Sequence, residues 1–255
     1  MAEFNRMDEP VIKGAPILKP RDAATLIILD RTAGEPRVLM GKRRMDLAFM
    51  PGKYVFPGGR VDRADHFAVS AHDLRDAEVA KLLVEMKGAR SKSRARALAL
   101  AALREAFEEA GIVVGHKAAG AVQSPASTTA SWAQFYATGY QPALAGMTFF
   151  ARAITPPGRP RRYDTRFFCV EATAIAEQRS INDGELSGLD WMSLEAARAL
   201  DIPNITRVIL EDLGEQLADG TLGGGTRPVP FYYQRNGTFY RDLIQPGAEH
   251  ESKLD

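Results

Sequence analysis

Three glutamates, Glu105, Glu108 and Glu109, stand at spacings i, i+3 and i+4 in the run Arg104-Glu105-Ala106-Phe107-Glu108-Glu109-Ala110-Gly111-Ile112. On a helical wheel they fall on one side, while Leu100, Leu103 and Phe107 fall on the other. Like charges at these spacings repel by a few tenths of a kcal/mol per pair on an exposed helix. A Mg²⁺ or Mn²⁺ ion, which favours oxygen ligands, would turn that repulsion into a binding site. Such a site suits cleavage of a diphosphate: the cation neutralises phosphate oxygens, lowers the pKa of an attacking water and holds it in line with the leaving group. Arg104 lies one turn before Glu108, within reach of a salt bridge that would orient a glutamate rather than touch substrate. An arbitrary helix with three glutamates is more often a solvated acidic face, so the surrounding sequence must decide between the two readings.

The elements that would position these residues are legible in outline. The spacing predicts a helix over roughly 94–110, with Ser93 as N-cap and Gly111 at its C-terminal end. Residues 24–30 and 37–42 read as a strand-turn-strand hairpin, and 45–59 as a loop around the short extended piece 54–56. Residues 66–90 carry helical spacing in Leu74, Val79, Leu82, Leu83 and Met86. Strands at 148–154 and 166–172 flank the proline loop 155–162, and helices follow at 194–200 and 205–217. Residues 220–225 read as a turn, because no lysine and hydroxyl follow as a phosphate loop requires. Asn236-Gly237 between two extended runs signals a type I′ hairpin, within a C-terminal hairpin at about 226–245. Residues 1–21, with Pro10, Pro16 and Pro20, form an irregular lead-in, and 22–255 a single domain of mixed α and β.

The run 104–112 resembles the second half of the Nudix box, G-x5-E-x7-R-E-U-x-E-E-x-G-U, with Ala106 a small residue at a bulky apolar position U. Gly59, preceded by Phe56-Pro57-Gly58, matches the box glycine, and Asp65 stands where the box has Glu. About thirty extra residues then intervene before Arg104, an insertion of about 66–93 that is tolerable if its ends lie close in space. A split box is a feature of Nudix enzymes similar to peroxisomal coenzyme A diphosphatase and their bacterial relatives. The stretch 49–59 with Asp62 and Asp65, and the stretch 161–168, resemble that branch. The upstream motif of coenzyme A hydrolases, L-L-T-x-R-S-x3-R-x3-G-x3-F-P-G-G, is met only by Leu39, Arg43, Gly52 and Phe56 to Gly59; Met40, Gly41, Arg44 and Ala48 depart from it.

The resemblance implies a Nudix α/β/α sandwich with a mixed sheet and a helical insertion inside the box. It also implies metal held by Glu105, Glu108, Glu109 and the Gly59 carbonyl, with Arg104 orienting them. Glu185, six residues before Trp191, resembles the late loop that supplies another carboxylate as ligand or base, with Asp183 as its competitor. Arg43, Arg44, Lys53, Arg161, Arg162 and Arg166 are the candidate substrate contacts, because guanidinium groups bind phosphate in bidentate fashion. The expected reaction is hydrolysis of coenzyme A or an acyl-coenzyme A to 3′,5′-ADP and a 4′-phosphopantetheine fragment. The alternatives are a diphosphatase for ADP-ribose or a dinucleotide, and a Nudix-like module that binds a nucleotide without cleaving it.

Composition narrows the partners. A formal net charge of +1 offers no bulk attraction to nucleic acid or a membrane surface, which leaves a small-molecule nucleoside-diphosphate conjugate, with a homodimer also compatible. The lone Cys169 excludes an internal disulfide and a multi-cysteine metal site and fits a reducing, cytoplasmic setting. His66, His72, His116 and His250 lack metal-ligand spacing. Trp132, Phe135 and Tyr136 read as core aromatics.

Overall fold

A computed structural model describes residues 2–3, 18–32, 34–47, 50–84, 86–120, 122, 128–181, 184–223, 225 and 227–245. In chain order the strands and helices are β1 (Ala2–Glu3), β2 (Arg21–Asp30), β3 (Arg37–Arg43), β4 (Tyr54–Val55), β5 (Gly58–Arg60), α1 (Asp76–Leu83), α2 (Lys92–Ala110), β6 (Ile112–Lys117), α3 (Ala130–Ala137), β7 (Tyr140–Pro142), β8 (Thr148–Ile154), β9 (Tyr163–Glu171), β10 (Ile175–Gln178), β11 (Leu186–Ser193), α4 (Leu194–Ala199), α5 (Asn204–Ala218), β12 (Val229–Arg235) and β13 (Thr238–Ile244).

Strand β2 organises the molecule. It runs parallel to β9 over nine residue pairs and antiparallel to β3 and β5, within a mixed sheet ordered β1-β13-β12-β8-β9-β2-β3-β11. Its alternation explains the layers. Ala24, Leu26 and Ile28 face one core with α2 and α3, whereas Ile27 and Leu29 face the other with α5. Helices therefore cover both faces, and the strand reads as a continuous apolar run. This is the α/β/α sandwich expected from the sequence. A smaller sheet, β10-β6-β7, adjoins the C-terminal end of α2.

Helix α2 is built from strong helix formers. Its alanines Ala95, Ala99, Ala102 and Ala106 are wholly buried, so its backbone lies close to its neighbours. Ser91, not Ser93, is the N-cap: Ser91 is extended and its hydroxyl accepts from the Arg94 N–H, whereas Ser93 already lies in the first turn. At the other end Gly111 has φ 67°, and its N–H donates to the Phe107 carbonyl. An alanine Cβ there would lie 2.0 Å from the Arg179 carbonyl oxygen. Gly111→Ala is expected to lower stability by about 3 kcal/mol, combining left-handed strain with that clash. Urea unfolding would show it as a lower midpoint at unchanged slope; a loss under about 0.5 kcal/mol, within the usual range for a neutral surface change, would contradict this account of the cap.

Residues 66–90 are less helical than their spacing suggests. Among the described residues of that stretch the helical pieces are α1 and His66, the last residue of a 3₁₀ turn at Arg63–His66. Leu74 and Met86 are buried from segments outside the helix, so the apolar spacing came from a winding chain. A buried charge fixes it. Glu78, fully buried, accepts from the Phe149 N–H at 2.7 Å and pairs with Lys81 at 2.8 Å, which docks α1 on β8.

Strand β9 begins at Tyr163, three residues before the predicted start, because its parallel pairing with β2 extends to Arg21. The C-terminal hairpin follows the type I′ signal, with Arg235 paired to Thr238 and positive φ at both Asn236 and Gly237. Of the lead-in, residues 2–3 form β1 beside β13, residues 18–20 have no regular structure and Arg21 opens β2. Its other residues, together with Asp183 and His250, lie outside the described residues. No helix among the described residues is long and apolar enough to cross a membrane.

Candidate functional site

Glu105, Glu108, Glu109, Arg104, Gly58 and Gly59 line one cleft of about 1250 Å³. Two contacts between α2 and β5 assemble the two halves of the box. The Gly58 N–H donates to Glu109 Oε2 at 2.9 Å. The Glu105 carboxylate lies directly against Gly59, where a Cβ would come within 2.4 Å of it. Only glycine allows that approach.

The acidic side of α2 is therefore not a solvated face. Side-chain exposure is 14% for Glu105, 30% for Glu108 and 5% for Glu109. Arg104 holds the first two, its Nη1 donating to Glu105 Oε1 at 2.9 Å and Glu108 Oε1 at 3.1 Å. The rest of the guanidinium is held from below. Its Nε and Nη2 donate to the two oxygens of Asp65 at 2.8 and 3.1 Å, and Nη2 also donates to the Arg60 carbonyl. Asp65 is fully buried and accepts further from Trp132 Nε1 at 2.8 Å and the Asp62 N–H at 2.7 Å. It thus secures the arginine that orients the glutamates. Sequence reasoning left Asp65 out of the site and took Trp132 as core packing; the six-residue spacing from Gly59 was the available signal.

Burial sets the electrostatics. It pushes the Glu105 pKa up to about 7, with Glu108 adding to the rise and Arg104 opposing it. Glu109 is pushed up to about 8 by burial, although the Gly58 hydrogen bond pulls it down. For Arg104 burial alone would lower the pKa, but Asp65, Glu105 and Glu108 outweigh it and the net shift is upward. Carboxylates raised above their unfolded values contribute stability that is full below about pH 4.5 and lost as pH rises through about 7 to 8. The metal-free protein should accordingly lose thermal stability between pH 5.5 and 8.5. Added Mg²⁺ should raise Tm more at pH 8.5 than at pH 5.5, because protons compete for the same oxygens. A Mg²⁺-induced shift in Tm that is equal at both pH values would contradict this.

The donor set has the right chemistry for a hard divalent cation: three carboxylates of α2 beside the β5 backbone, two of them destabilised as anions by burial. The side chains are now arranged on Arg104 and Gly58. No group of three His, Cys, Asp or Glu among the described residues is already gathered as a metal site.

The remaining candidates divide. Glu185 lines the cleft and its Oε2 accepts from Arg43 Nη2 at 2.9 Å, while Arg43 Nη1 stands 3.8 Å from Glu109. Arg43 therefore links two carboxylates instead of presenting a free guanidinium. Arg161 lines the cleft and is exposed. Arg162 also lines it, but its Nε and Nη1 donate to the carbonyls of Thr155 and Leu18. Arg44, Lys53 and Arg166 are not among the cleft-lining residues. Arg44 pairs with Asp46 and Lys53 with Asp201. Arg166 is buried, in contact with Asp22 and Asp164. Strand alternation is the reason: Tyr163 and Thr165 face the cleft, while Asp164 and Arg166 face the α2 side.

Solved structures similar to this chain are Nudix proteins. The chain is similar to a Nudix hydrolase from Alicyclobacillus acidocaldarius, 26% identical over 77% of this chain and 91% of that one, with a TM-score of 0.56. A looser likeness joins it to the Nudix domain of Shewanella oneidensis NrtR in complex with ADP ribose, 10% identical over 78% and 90% of the two chains, TM-score 0.46. Another is to an Ap4A hydrolase from C. elegans, 15% identical over 78% and 99%, TM-score 0.41. No protein-family model and no curated protein matches the chain.

Proposed function

We infer from a Nudix fold whose cleft carries this glutamate helix that the chain is a Nudix-type hydrolase, cleaving a diphosphate linkage in a nucleoside-diphosphate conjugate. The observation that carries the reading is the gathering of three glutamates in the cleft, Glu105 and Glu108 on Arg104 and Glu109 on the Gly58 N–H, with Glu105 against Gly59.

Glu105, Glu108, Glu109 and the Gly59 carbonyl would hold Mg²⁺ or Mn²⁺. When bound, the ion would neutralise phosphate oxygens and lower the pKa of the attacking water. Arg104, anchored on Asp65, keeps the glutamates directed to the cleft. Water attacks one phosphorus, the anhydride P–O bond breaks, and two phosphate monoesters leave. The proton of that water passes to a carboxylate facing the cleft, Glu105 or Glu185.

Coenzyme A or an acyl-coenzyme A is the favoured substrate, giving 3′,5′-ADP and 4′-phosphopantetheine. The cleft exceeds the few hundred to 1,000 Å³ usual for small-ligand pockets. It also has an apolar wall in Leu47, Met50, Val55 and Ile205, suited to a long arm beyond the diphosphate. A panel of coenzyme A, ADP-ribose and dinucleotides with Mg²⁺ or Mn²⁺ tests this. Release of 3′,5′-ADP at the highest kcat/KM supports coenzyme A; turnover of another member without 3′,5′-ADP from coenzyme A overturns that substrate while leaving the reaction class standing.

A further inference from the structure

The charge of the cleft is divided along its length. At one end stand Glu105, Glu108, Glu109 and Glu185. At the other, Lys19, Arg21, Arg60 and Arg161 line the wall, all exposed, and among the described residues none has a carboxylate within ion-pair distance. Of the other cations lining the cleft, Arg43 is compensated by Glu185 and Arg104 by Asp65, Glu105 and Glu108, while Arg162 is turned onto the Thr155 and Leu18 carbonyls. Among the described cleft-lining residues, Asp62 is the carboxylate at the basic end, and it is taken up in capping the following turn through the Ala64 N–H; Asp22, next to Arg21, pairs with Arg94 and Arg166 on the other face.

The sheet fixes where these cations stand. Arg60 of β5 is paired with Ala23 of β2, and Arg21 lies two residues earlier on the same face, opposite Tyr163 of β9. Lys19 and Arg161 lead into the same ends of β2 and β9. Four like charges thus gather across three neighbouring strands, where like-charge pairs are destabilising. Gly59, against which Glu105 rests, faces Ala24 in register, so Arg21 lies about 10 Å further along β2 at roughly 3.3 Å per residue. Tyr163, beside Arg21 in the register, adds an aromatic ring to the same wall.

We propose that Lys19, Arg21, Arg60 and Arg161 form a subsite for a second anionic group, a phosphomonoester carried by the nucleoside side of the substrate. Resting on the diphosphatase reading above, this makes the substrate class a nucleoside-diphosphate conjugate with an additional phosphate. Arginine pairs bind such a dianion by several charge-assisted hydrogen bonds, which a ligand lacking it forgoes.

Two measurements on the intact protein test the subsite. Isothermal titration with 3′,5′-ADP and with 5′-AMP should show at least tenfold tighter binding of 3′,5′-ADP. That margin should shrink to under threefold in Arg21→Gln/Arg161→Gln, whose folding is checked by its melting curve. Coenzyme A and 3′-dephospho-coenzyme A should show the same preference in kcat/KM, lost in the same variant. Equal binding of the two nucleotides, or a preference untouched by the double substitution, overturns the subsite. Diphosphate cleavage without the preference removes the subsite and leaves the reaction; the nucleotide preference without cleavage of any diphosphate removes the reaction and leaves the subsite.

Discussion

Glu109→Gln is expected to lower kcat by about 10²–10³-fold while leaving the metal-free protein as stable as the parent, or more stable, at pH 8. The two effects have one origin. Glu109 is 5% exposed, and burial pushes its pKa up to about 8. A glutamine has the same shape and still offers an oxygen to the Gly58 N–H, now 2.9 Å from Glu109 Oε2. It removes a charge that the fold compensates only through that bond and an Arg43 contact at 3.8 Å. Replacing an uncompensated buried charge by a neutral group of equal size is neutral to stabilising. The same change removes an anionic metal ligand, worth several kcal/mol of transition-state stabilisation, with about 1.4 kcal/mol per factor of ten. Turnover and melting temperature should therefore move independently. A variant that unfolds in parallel with its loss of activity would assign Glu109 to structure alone.

Asp65→Asn should have the reverse balance, with a stability loss of about 3–5 kcal/mol and a fall in kcat of about 10–100-fold. Asp65 is fully buried and takes four hydrogen bonds, from Arg104 Nε and Nη2, Trp132 Nε1 and the Asp62 N–H. An asparagine must turn an NH₂ group toward donors, which leaves part of the Arg104 guanidinium buried without its counterion. Arg104 would then lose the anchor that lets it direct Glu105 and Glu108. Urea unfolding measures the stability term. Trp132→Phe supplies the control: it removes one donor to Asp65 and keeps the ion pair, so its cost should be nearer 2 kcal/mol, about 1 from the lost hydrogen bond and about 1 from the space a smaller ring leaves in the core. If Asp65→Asn costs no more than Trp132→Phe, the ion pair is not what holds the box together.

The glutamate helix was legible because both its signals are local. Alanine-rich periodicity marks the element, and the i, i+3, i+4 spacing marks the carboxylate side. Arg104 also lay within a local reading, since its contact with Glu108 spans one turn. Its larger attachment to Asp65 did not, because residues 65 and 104 meet only once the chain between them has folded back. The cap illustrates a smaller limit. Ser91 and Ser93 are equally good caps by composition, and only the extended backbone at Ser91 separates them.

The substrate residues were read less well, for a physical reason. A loop beginning at 155 and ending at 162 was foreseen, but the parallel register of β2 and β9 was not. That register, a long-range pairing, decides which of Arg161, Tyr163 and Arg166 reaches the cleft. With the strand beginning at Tyr163, alternation sends Arg166 to the buried side. Arg21 and Arg60 were passed over for the same cause: no motif marks them, and the β2–β5 pairing places them on the wall. Arg43 had the motif but proved to be bridging carboxylates, a role set by the approach of Glu185 from the loop before β11.

The central claim is that the α2 glutamates direct water onto the phosphorus of a diphosphate with a divalent cation. Hydrolysis of coenzyme A, ADP-ribose and dinucleotides in ¹⁸O-labelled water with Mg²⁺, followed by mass spectrometry of the products, tests it most directly. The account predicts one ¹⁸O atom in one phosphomonoester product of the substrate that turns over, abolished by chelation and reduced about 10²–10³-fold by Glu109→Gln. Cleavage that places no ¹⁸O on phosphorus, or labelling that Glu109→Gln leaves unchanged, would contradict it.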